Sequence, residues 1–549
     1  MKDLSKEILA YSLQNALEFG KADVGKILPK LFQHGLQKSE IKRVMPLIQE
    51  SVKEVNGMSE KERKSAFGKL SNKVKKREIK EKSLPELNNV SLKKKPVFRM
   101  APFPSGAIHL GNAKTFLINA LYAEKYNGKL LLVIDDTIGS AEKQIDKESY
   151  KLIEKAFKFL DIKYDKPIIY KSDRLPIYYK YAEELIKKGK AYVDYSSRED
   201  MREMRAKGQE SGDRQFSPEI QMKRWEEMFK VKEGHAVLRL KTSMQHKNPA
   251  FRDRVLFKVS DRKHPRKGNK YRVWPSLEMS WAVDDHLLGI THIIRGNDLL
   301  METEMEKYIW DIFKWKHPEV IHTGLINIEG VKVSKSKSQK EVKSGKYSGW
   351  DDPRTWSIQS LERRGITKEA IREFVEGIGL NKQDITVPIE TLYSINRGLL
   401  DAKAERYSFV EKPIELNIKN PLKIKEVSVP IHPESKKKRV VKVGKIFVSK
   451  RDFVKFKNKE VRLLHLYNIK LGKTSEVTSI ENKKIQKLNW VSKGVKVNVL
   501  MPDGNTVEGL AEDGIEKLKK NQVVQFERFG FVKYDGKSKN LHDFWFAHK

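Results

Sequence analysis

The residues with the most evident chemistry lie in one stretch, VFRMAPFPSGAIHLGNAKTFLINALYAEKYNGKLLLVIDDT at 97–137. Within it Pro102, Pro104, Ser105 and Gly106 read as a loop. Leu110, Ala113, Leu117, Ala120 and Leu121 then recur at the spacing of a helix with one buried stripe. The start of such a helix offers unpaired amide N–H groups and the positive end of a dipole, which suits phosphate. Gly106 and Gly111 would let a ligand approach the backbone closely, and His109 and Asn112 could add side-chain donors. By itself, His109 reads as an ordinary helix-capping or surface histidine, and it is the surrounding pattern that favours a functional one. Two carboxylates, Asp135 and Asp136, end the apolar run Leu130 to Ile134, which reads as a buried strand.

Positioning these groups takes a βαβ unit. Val97 to Ala101 reads as the first strand, Asn127-Gly128 ends the helix, and a right-handed crossover lays the second strand parallel to the first. Ligands of such folds bind beyond the carboxyl ends of the strands, where the Pro-rich loop and the carboxylates meet. Before this unit, Ile8, Leu9, Leu13 and Leu17 are spaced as on a helix, and the first 90 or so residues read as helical. Lys93, Lys94, Lys95 and Pro96 read as a linker. After the unit, short apolar runs alternate with helices, the pattern of an α/β layer with a largely parallel sheet. Beyond about residue 406 the pattern turns to strands, at Val440 to Val448, Val495 to Met501 and Gln522 to Tyr534. Turns are expected at Pro502-Asp503-Gly504 and Asp535-Gly536.

The 549 residues suggest several domains, and 39% hydrophobic content supplies real cores. There is no cysteine, which excludes disulfides, thiol nucleophiles and Cys-ligated zinc. The first twenty residues carry charges throughout, and no apolar run approaches the length of a membrane span. A cytoplasmic protein without a membrane partner is therefore expected. The net charge of +37 suits a polyanion, nucleic acid before membrane surface. Residues 436–496 hold 19 basic and 4 acidic residues, and Phe447, Phe453, Phe456, Tyr467 and Trp490 interleave them, as on RNA-binding surfaces.

PSGAIHLGN, between a strand and a helix, resembles the HIGH signature of class I aminoacyl-tRNA synthetases, with Asn112 for the final histidine. KVSKS at 332–336 resembles their KMSKS loop, with valine for methionine. FRMAPFPSG is similar to the RFAPSPTG segment of the glutamyl and glutaminyl members. LLVIDDT is similar to their LRFEDT strand, and VDDHLLGITHIIRGNDLL at 283–300 to a further segment of theirs. The likeness covers nearly the whole chain and is closest to the archaeal type of glutamyl-tRNA synthetase. It includes GKYSGWDDPRT at 345–355 and a strand-rich C-terminal half.

This resemblance implies a helical extension (1–96) and a Rossmann-like catalytic domain (97–335) with an acceptor-end insertion near 190–270. It further implies a helical stem-contact region (336–405) and a β-barrel anticodon-binding region (406–549). It implies ATP binding by Pro102, Ser105, Gly106, His109, Gly111, Asn112, Lys332, Ser334 and Lys335. Of these, His109, Asn112, Lys332 and Lys335 would be catalytic. Amino-acid binding would fall to Arg99, Ala101, Asp135 and Arg295, since an arginine can meet a carboxylate bidentately. Without the motifs, Arg99 and Arg295 would read as members of structural ion pairs. LINIEGVKVSK would be a hairpin turning at Glu329-Gly330, projecting two lysines over the departing pyrophosphate.

The implied activity is ligation of L-glutamate to tRNA(Glu) in protein biosynthesis, with ATP and Mg²⁺, no structural zinc, and a monomeric state. Whether tRNA(Gln) is also charged stays open. A glutaminyl enzyme and a non-catalytic tRNA-binding protein of the same fold are the alternatives. Val133, Phe103 and Leu277 depart from the family pattern near the inferred pocket.

Overall fold

The computed structural model describes residues 4–74, 84–91, 94–139, 143–330 and 335–549. It forms two compact units, Met1–Lys82 and Ser83–Lys549. In the first, helices Ser5–Phe19, Val24–Leu31, Ile41–Gly57 and Glu60–Leu70 bury Ile8, Leu13, Ile27, Leu31, Ile48 and Val55. Leu9 and Leu17, on the flanks of the first helix, are half-buried. A capping box between Ser59 and Glu62 starts the fourth helix.

The second unit is built on a five-stranded parallel sheet. Its strands are β1 (Val97–Met100), β2 (Lys129–Ile134), β3 (Asp165–Tyr170), β4 (His292–Gly296) and β5 (Glu319–Thr323). Their order is β3-β2-β1-β4-β5. β1 lies against β2 from Val97↔Lys129 to Met100↔Leu132. The order reverses between β1 and β4, which opens a crevice at their carboxyl ends. Helix α1 (Leu110–Lys125) makes the crossover and buries Ala113, Leu117, Ala120 and Leu121. Asn127, at a φ of 48°, turns the chain into β2.

Between β3 and β4 stands an antiparallel sheet of Ala191–Asp194, Val237–Leu240, Val255–Val259 and Val273–Pro275. Its core of Trp225, Phe257 and Trp274 continues into helices α2 (Leu277–Leu287) and α3 (Leu300–Phe313). Helices Ile358–Arg364, Lys368–Ile378 and Ile389–Asp401 bury Leu361, Ile371, Phe374 and Leu392 in the same core as Leu117 and Leu132.

The expected hairpin at Glu329-Gly330 has its second arm outside the described residues, and Gly330 itself stands at a φ of 74°. Ile326–Glu329 pairs in parallel with Ile385–Pro388, Ile326 against Ile385 and Ile328 against Val387. Residues 331–334 lie outside the described residues, and the chain continues as helix Lys335–Lys343.

The C-terminal part contains two β modules. The outer one is a seven-stranded sheet whose order runs 406–407, 523–526, 530–538, 541–548, 494–500, 506–512, 409–411. Its two edge strands are separated in sequence by Ser408 alone. The edges therefore meet, and the sheet curls into a nearly closed barrel. Residues 413–491 form the second module, inserted into the first, with its own core of Val448, Val461, Leu463, Ile469 and Leu488. Val440 to Val448 is two strands, Lys438–Lys442 and Phe447–Ser449, because the chain bends around Gly444 to reach a different partner. Asp535-Gly536 is a bulge inside Gly530–Ser538, and the reversal falls later, near Lys539 at a φ of 54°. Gly504, at a φ of 88°, makes the expected turn.

Candidate active site

The crevice between β1 and β4 gathers most of the candidate residues. His109 is the N-cap of α1, its Nδ1 accepting the Asn112 backbone N–H at 3.4 Å. The imidazole lies over Gly111, where a Cβ would come within 3.2 Å of the ring. Gly106 has a φ of 150°, and a Cβ there would overlap the Trp350 ring. Trp350 belongs to GKYSGWDDPRT, whose end runs along the loop: Ile358 N–H donates to the Ile108 carbonyl at 2.8 Å, and Leu110 N–H to that of Trp356 at 3.4 Å. This backing of the loop before α1 by residues some 250 positions later has no signature in sequence spacing.

Two cavities meet in the crevice. One, of about 370 Å³, is walled by His109, Gly111, Arg99, Arg295 and the strand residues Ile326 to Ile328. The other, of about 710 Å³, reaches from Asp135 and Phe103 to the insertion at Arg205, Arg254 and Lys258. Ala101, Asn112, Phe116, Trp281, Asp298 and Leu299 are walls of both. The geometry offers a compartment at the helix N-terminus joined to a second that opens toward basic residues of the insertion.

The floor is a buried charge cluster. Arg99 holds Asp285 bidentately, Nη2 to Oδ2 at 2.8 Å and Nε to Oδ1. Arg295 holds Glu306 at 2.8 and 2.7 Å and donates to Thr303 Oγ1 at 2.5 Å. Lys171 lies 3.4 Å from Asp135 Oδ1 and donates to Ser280 Oγ at 2.9 Å. All three cations approach the Trp281 ring, at 4.9 Å (Arg99), 4.8 Å (Lys171) and 5.2 Å (Arg295). Burial works against the Arg99 charge, yet Asp285, Glu306 and Asp135 hold its pKa above the ordinary arginine value. Burial pushes the Asp135 carboxyl up against the pull of Lys171, and pulls the Lys171 ammonium down against that of Asp135. Among the described residues, Asp135 Oδ1 and Arg295 Nε are buried without a hydrogen-bond partner.

Arg99, Ala101, His109, Gly111, Asn112 and Arg295 thus come together around the smaller cavity, and Pro102 and Asp135 line the larger. Ser105 and Gly106 are buried in the loop beside them. Lys332 and Ser334 lie outside the described residues, and Lys335 opens its helix. Phe103 and Leu277 line the larger cavity, whereas Val133, buried in β2, lines neither. Sequence reading missed Lys171, Trp281, Asp285, Glu306 and Trp350. The first follows a strand directly, and Trp281 and Asp285 fall on the quoted family segment or just before it, so their neighbourhood was visible while their contacts were not.

In the C-terminal modules the lysines of the basic block, among them Lys436, Lys437, Lys438, Lys442 and Lys445, are exposed. The aromatic residues between them divide into buried ones and the half-buried Phe447, Phe453 and Phe456. Tyr467 and Trp490 are core, Trp490 Nε1 donating to the Leu464 carbonyl at 2.8 Å, while Phe453 and Phe456 pack against that core. A cavity of about 530 Å³ opens between the modules, lined by Arg406, Gln486, Lys487, Gln525, Glu527 and Arg528.

Residues 96–402 match the family described as tRNA synthetases class I (E and Q), catalytic domain. Residues 404–489 and 481–535 match two families described as anti-codon binding domains of the same synthetases. The sequence is 38% identical over 562 residues to a glutamate–tRNA ligase of Methanocaldococcus jannaschii, covering 100% of both chains. It is 39% identical to one of Pyrococcus furiosus, covering 97% of both. A crystal structure of a glutamate tRNA ligase from Elizabethkingia meningosepticum, in complex with its amino acid, matches with a TM-score of 0.41 at 20% identity. That match covers 57% of this chain and 70% of that one.

Proposed function

The chain belongs to the class I tRNA synthetases of the glutamate and glutamine (E and Q) branch, and from that membership we propose that it ligates L-glutamate to tRNA(Glu) at the expense of ATP. In the first step an oxygen of the glutamate α-carboxylate attacks the α-phosphorus of ATP, and pyrophosphate leaves. In the second, the terminal ribose hydroxyl of the tRNA attacks the acyl carbon, and AMP leaves. The observation that carries this reading is the pair of joined cavities at the switch point, one against a helix N-terminus and one toward the insertion.

The chemistry assigned to each group follows from its place. The amides at the start of α1, with His109 and Asn112, suit the phosphates, and the glycines there let them approach. Lys332, Ser334 and Lys335 would meet the departing pyrophosphate, whose charge grows in the transition state. Mg²⁺ would arrive with the triphosphate and neutralise part of its charge. Asp135 suits the α-ammonium of the amino acid, and the guanidinium groups of Arg99 and Arg295 suit its carboxylates. Catalysis would consist of positioning and charge stabilisation, without a covalent intermediate on the protein. The basic block and the cleft between the β modules suit the phosphates and splayed bases of an anticodon loop.

Charging assays test the proposal. The full-length chain with ATP, glutamate and glutamine should attach glutamate to tRNA(Glu). Offering tRNA(Gln) in parallel reads whether that tRNA is charged too. A glutamine product alone would replace glutamate by glutamine as substrate. Tight tRNA binding without any ATP–pyrophosphate exchange, tRNA being present, would leave a binding protein in place of an enzyme.

A further inference from the structure

Asp135 is an unusual group to place in a substrate site. It is 1% exposed, its Oδ1 has no hydrogen-bond partner among the described residues, and its neighbour Asp136 carries the same charge. A carboxyl so placed takes up a proton unless a cation holds it ionised. That cation is Lys171, the residue directly after β3, with Nζ 3.4 Å from Asp135 Oδ1. Lys171 is 0% exposed and lines neither cavity, whereas Asp135 is part of the wall of the larger one. Its ammonium is held in place by Ser280 Oγ at 2.9 Å and the Trp281 ring at 4.8 Å. Ser280 in turn donates to the Ser276 carbonyl at 3.0 Å, in the first turn of α2.

A buried lysine aimed at one carboxylate is costly to fold, because both charges lose their water. Leucine or methionine would fill the same space without that penalty. Arg99 and Arg295 make their close ion pairs with Asp285 and Glu306, whereas the close ion pair of Asp135 is with Lys171. The groups facing the Asp135–Lys171 pair are Asp136 and Arg99 on the Asp135 side, and Asp284, Asp285 and Arg99 on the Lys171 side. Asp284 is engaged by Arg174 at 2.7 Å and Tyr178 at 2.6 Å. Asp136 is engaged by Ser172, Tyr150 and Arg266. Lys171 therefore stands as the counter-charge of Asp135.

We propose that Lys171 is a positioning residue of the amino-acid site: it holds Asp135 as an oriented carboxylate so that Asp135 can receive the α-ammonium group of the substrate amino acid. The proposal rests on the reading of Asp135 as an amino-acid ligand. An opposite charge within about 4–6 Å favours the ionised form of a carboxyl by roughly tenfold or more. Removing Lys171 should therefore weaken amino-acid binding by about tenfold or more near neutral pH, and the defect should shrink as rising pH ionises Asp135 unaided.

The experiment compares the full-length chain with Lys171→Met, Asp135→Asn and the double variant by ATP–pyrophosphate exchange, tRNA being present, from pH 6.5 to 8.5. Lys171→Met should raise KM for glutamate about tenfold at the low end and less at the high end, with kcat and KM for ATP changed less than about twofold. In the Asp135→Asn background it should add nothing. Equal effects on ATP and glutamate, or a pH-independent effect that adds to Asp135→Asn, would reduce Lys171 to a structural role and overturn the proposal. If Lys171→Met does not fold, Lys171→Gln, which keeps a donor for Ser280 without the charge, carries the same expectations. The unmutated chain separates the two readings: no glutamate-dependent exchange there overturns the substrate assignment, while exchange with an unselective Lys171 effect overturns only the proposal.

Discussion

Gly106 shows how tightly single residues are constrained at this site. Its φ of 150° is strained for a side-chain-bearing residue, and the space a Cβ would need is filled by the Trp350 indole. Gly106→Ala should therefore cost about 1–3 kcal/mol through displaced packing and backbone strain, and should slow ATP–pyrophosphate exchange by roughly 10- to 100-fold if the loop moves. Pairing it with Trp350→Leu should recover part of the exchange rate, because the overlap is then relieved and only the backbone strain remains. An unchanged rate in Gly106→Ala, measured by the same assay, would show that the loop absorbs the methyl without moving. The glycine, His109 and Asp135 were legible in the sequence because the loop-to-helix and strand-end positions announce themselves locally. Trp350, Asp285, Glu306 and Lys171 were not, since each reaches the site from a distant part of the chain and owes its role to a contact rather than to a pattern.

The elements of the nucleotide fold follow from their apolar runs. β1, α1 and β2 fall within a residue or so of the expected positions, because buried parallel strands and an amphipathic crossover have opposite periodicities. The strand Ile326–Glu329 was legible as a strand, but its pairing with Ile385–Pro388 was not, since that partner comes more than fifty residues later. At the seam of the nearly closed C-terminal barrel, Glu512 Oε1 accepts the Ser408 N–H at 3.1 Å and the Arg439 Nε–H at 2.8 Å. Arg439 belongs to the strand Lys438–Lys442, so one carboxyl ties a lysine-rich hairpin to the seam. Burial pushes that carboxyl up to about 7, against the pull of Arg439. The folded state then binds a proton more tightly than the unfolded chain does. Its stabilising effect is present below the ordinary glutamate range and is lost as pH rises through about 7, a swing on the order of 3 kcal/mol. Thermal unfolding of the chain should show a C-terminal transition that falls between pH 5 and 8. Glu512→Gln should flatten that dependence, and an unaltered pH profile in the variant would remove Glu512 as its source.

On the proposed function, the whole molecule would hold a tRNA at two places far apart along the chain, the insertion near the larger cavity and the basic β modules. The gain from engaging both depends on how rigidly they are joined. The joint is built from consecutive arginines. Arg364, fully buried, donates to the backbone carbonyls of Phe546 and Ala547 at 3.1 and 2.8 Å. Arg363 bridges Asp351 at 2.5 Å and Asp535 at 2.8 Å, and lies 4.2 Å over the Trp545 ring. Asp351 follows Trp350, the residue that covers the Gly106 loop, so one side chain connects the barrel's bulge to the backing of that loop. Exposed ion pairs contribute little, but Arg363 is only half-exposed and spans two carboxylates and an aromatic face, an arrangement that fixes relative position more than it adds stability. Arg363→Ala should thus loosen the barrel on the catalytic body without disturbing either fold. The expected result is a loss of about tenfold in kcat/KM for tRNA, with KM for ATP and glutamate within about twofold of the unmutated chain. Aminoacylation kinetics with each substrate varied in turn make the measurement. A loss shared equally by all three substrates would mean that Arg363 supports the nucleotide loop through Asp351 rather than the reach of the molecule along its tRNA.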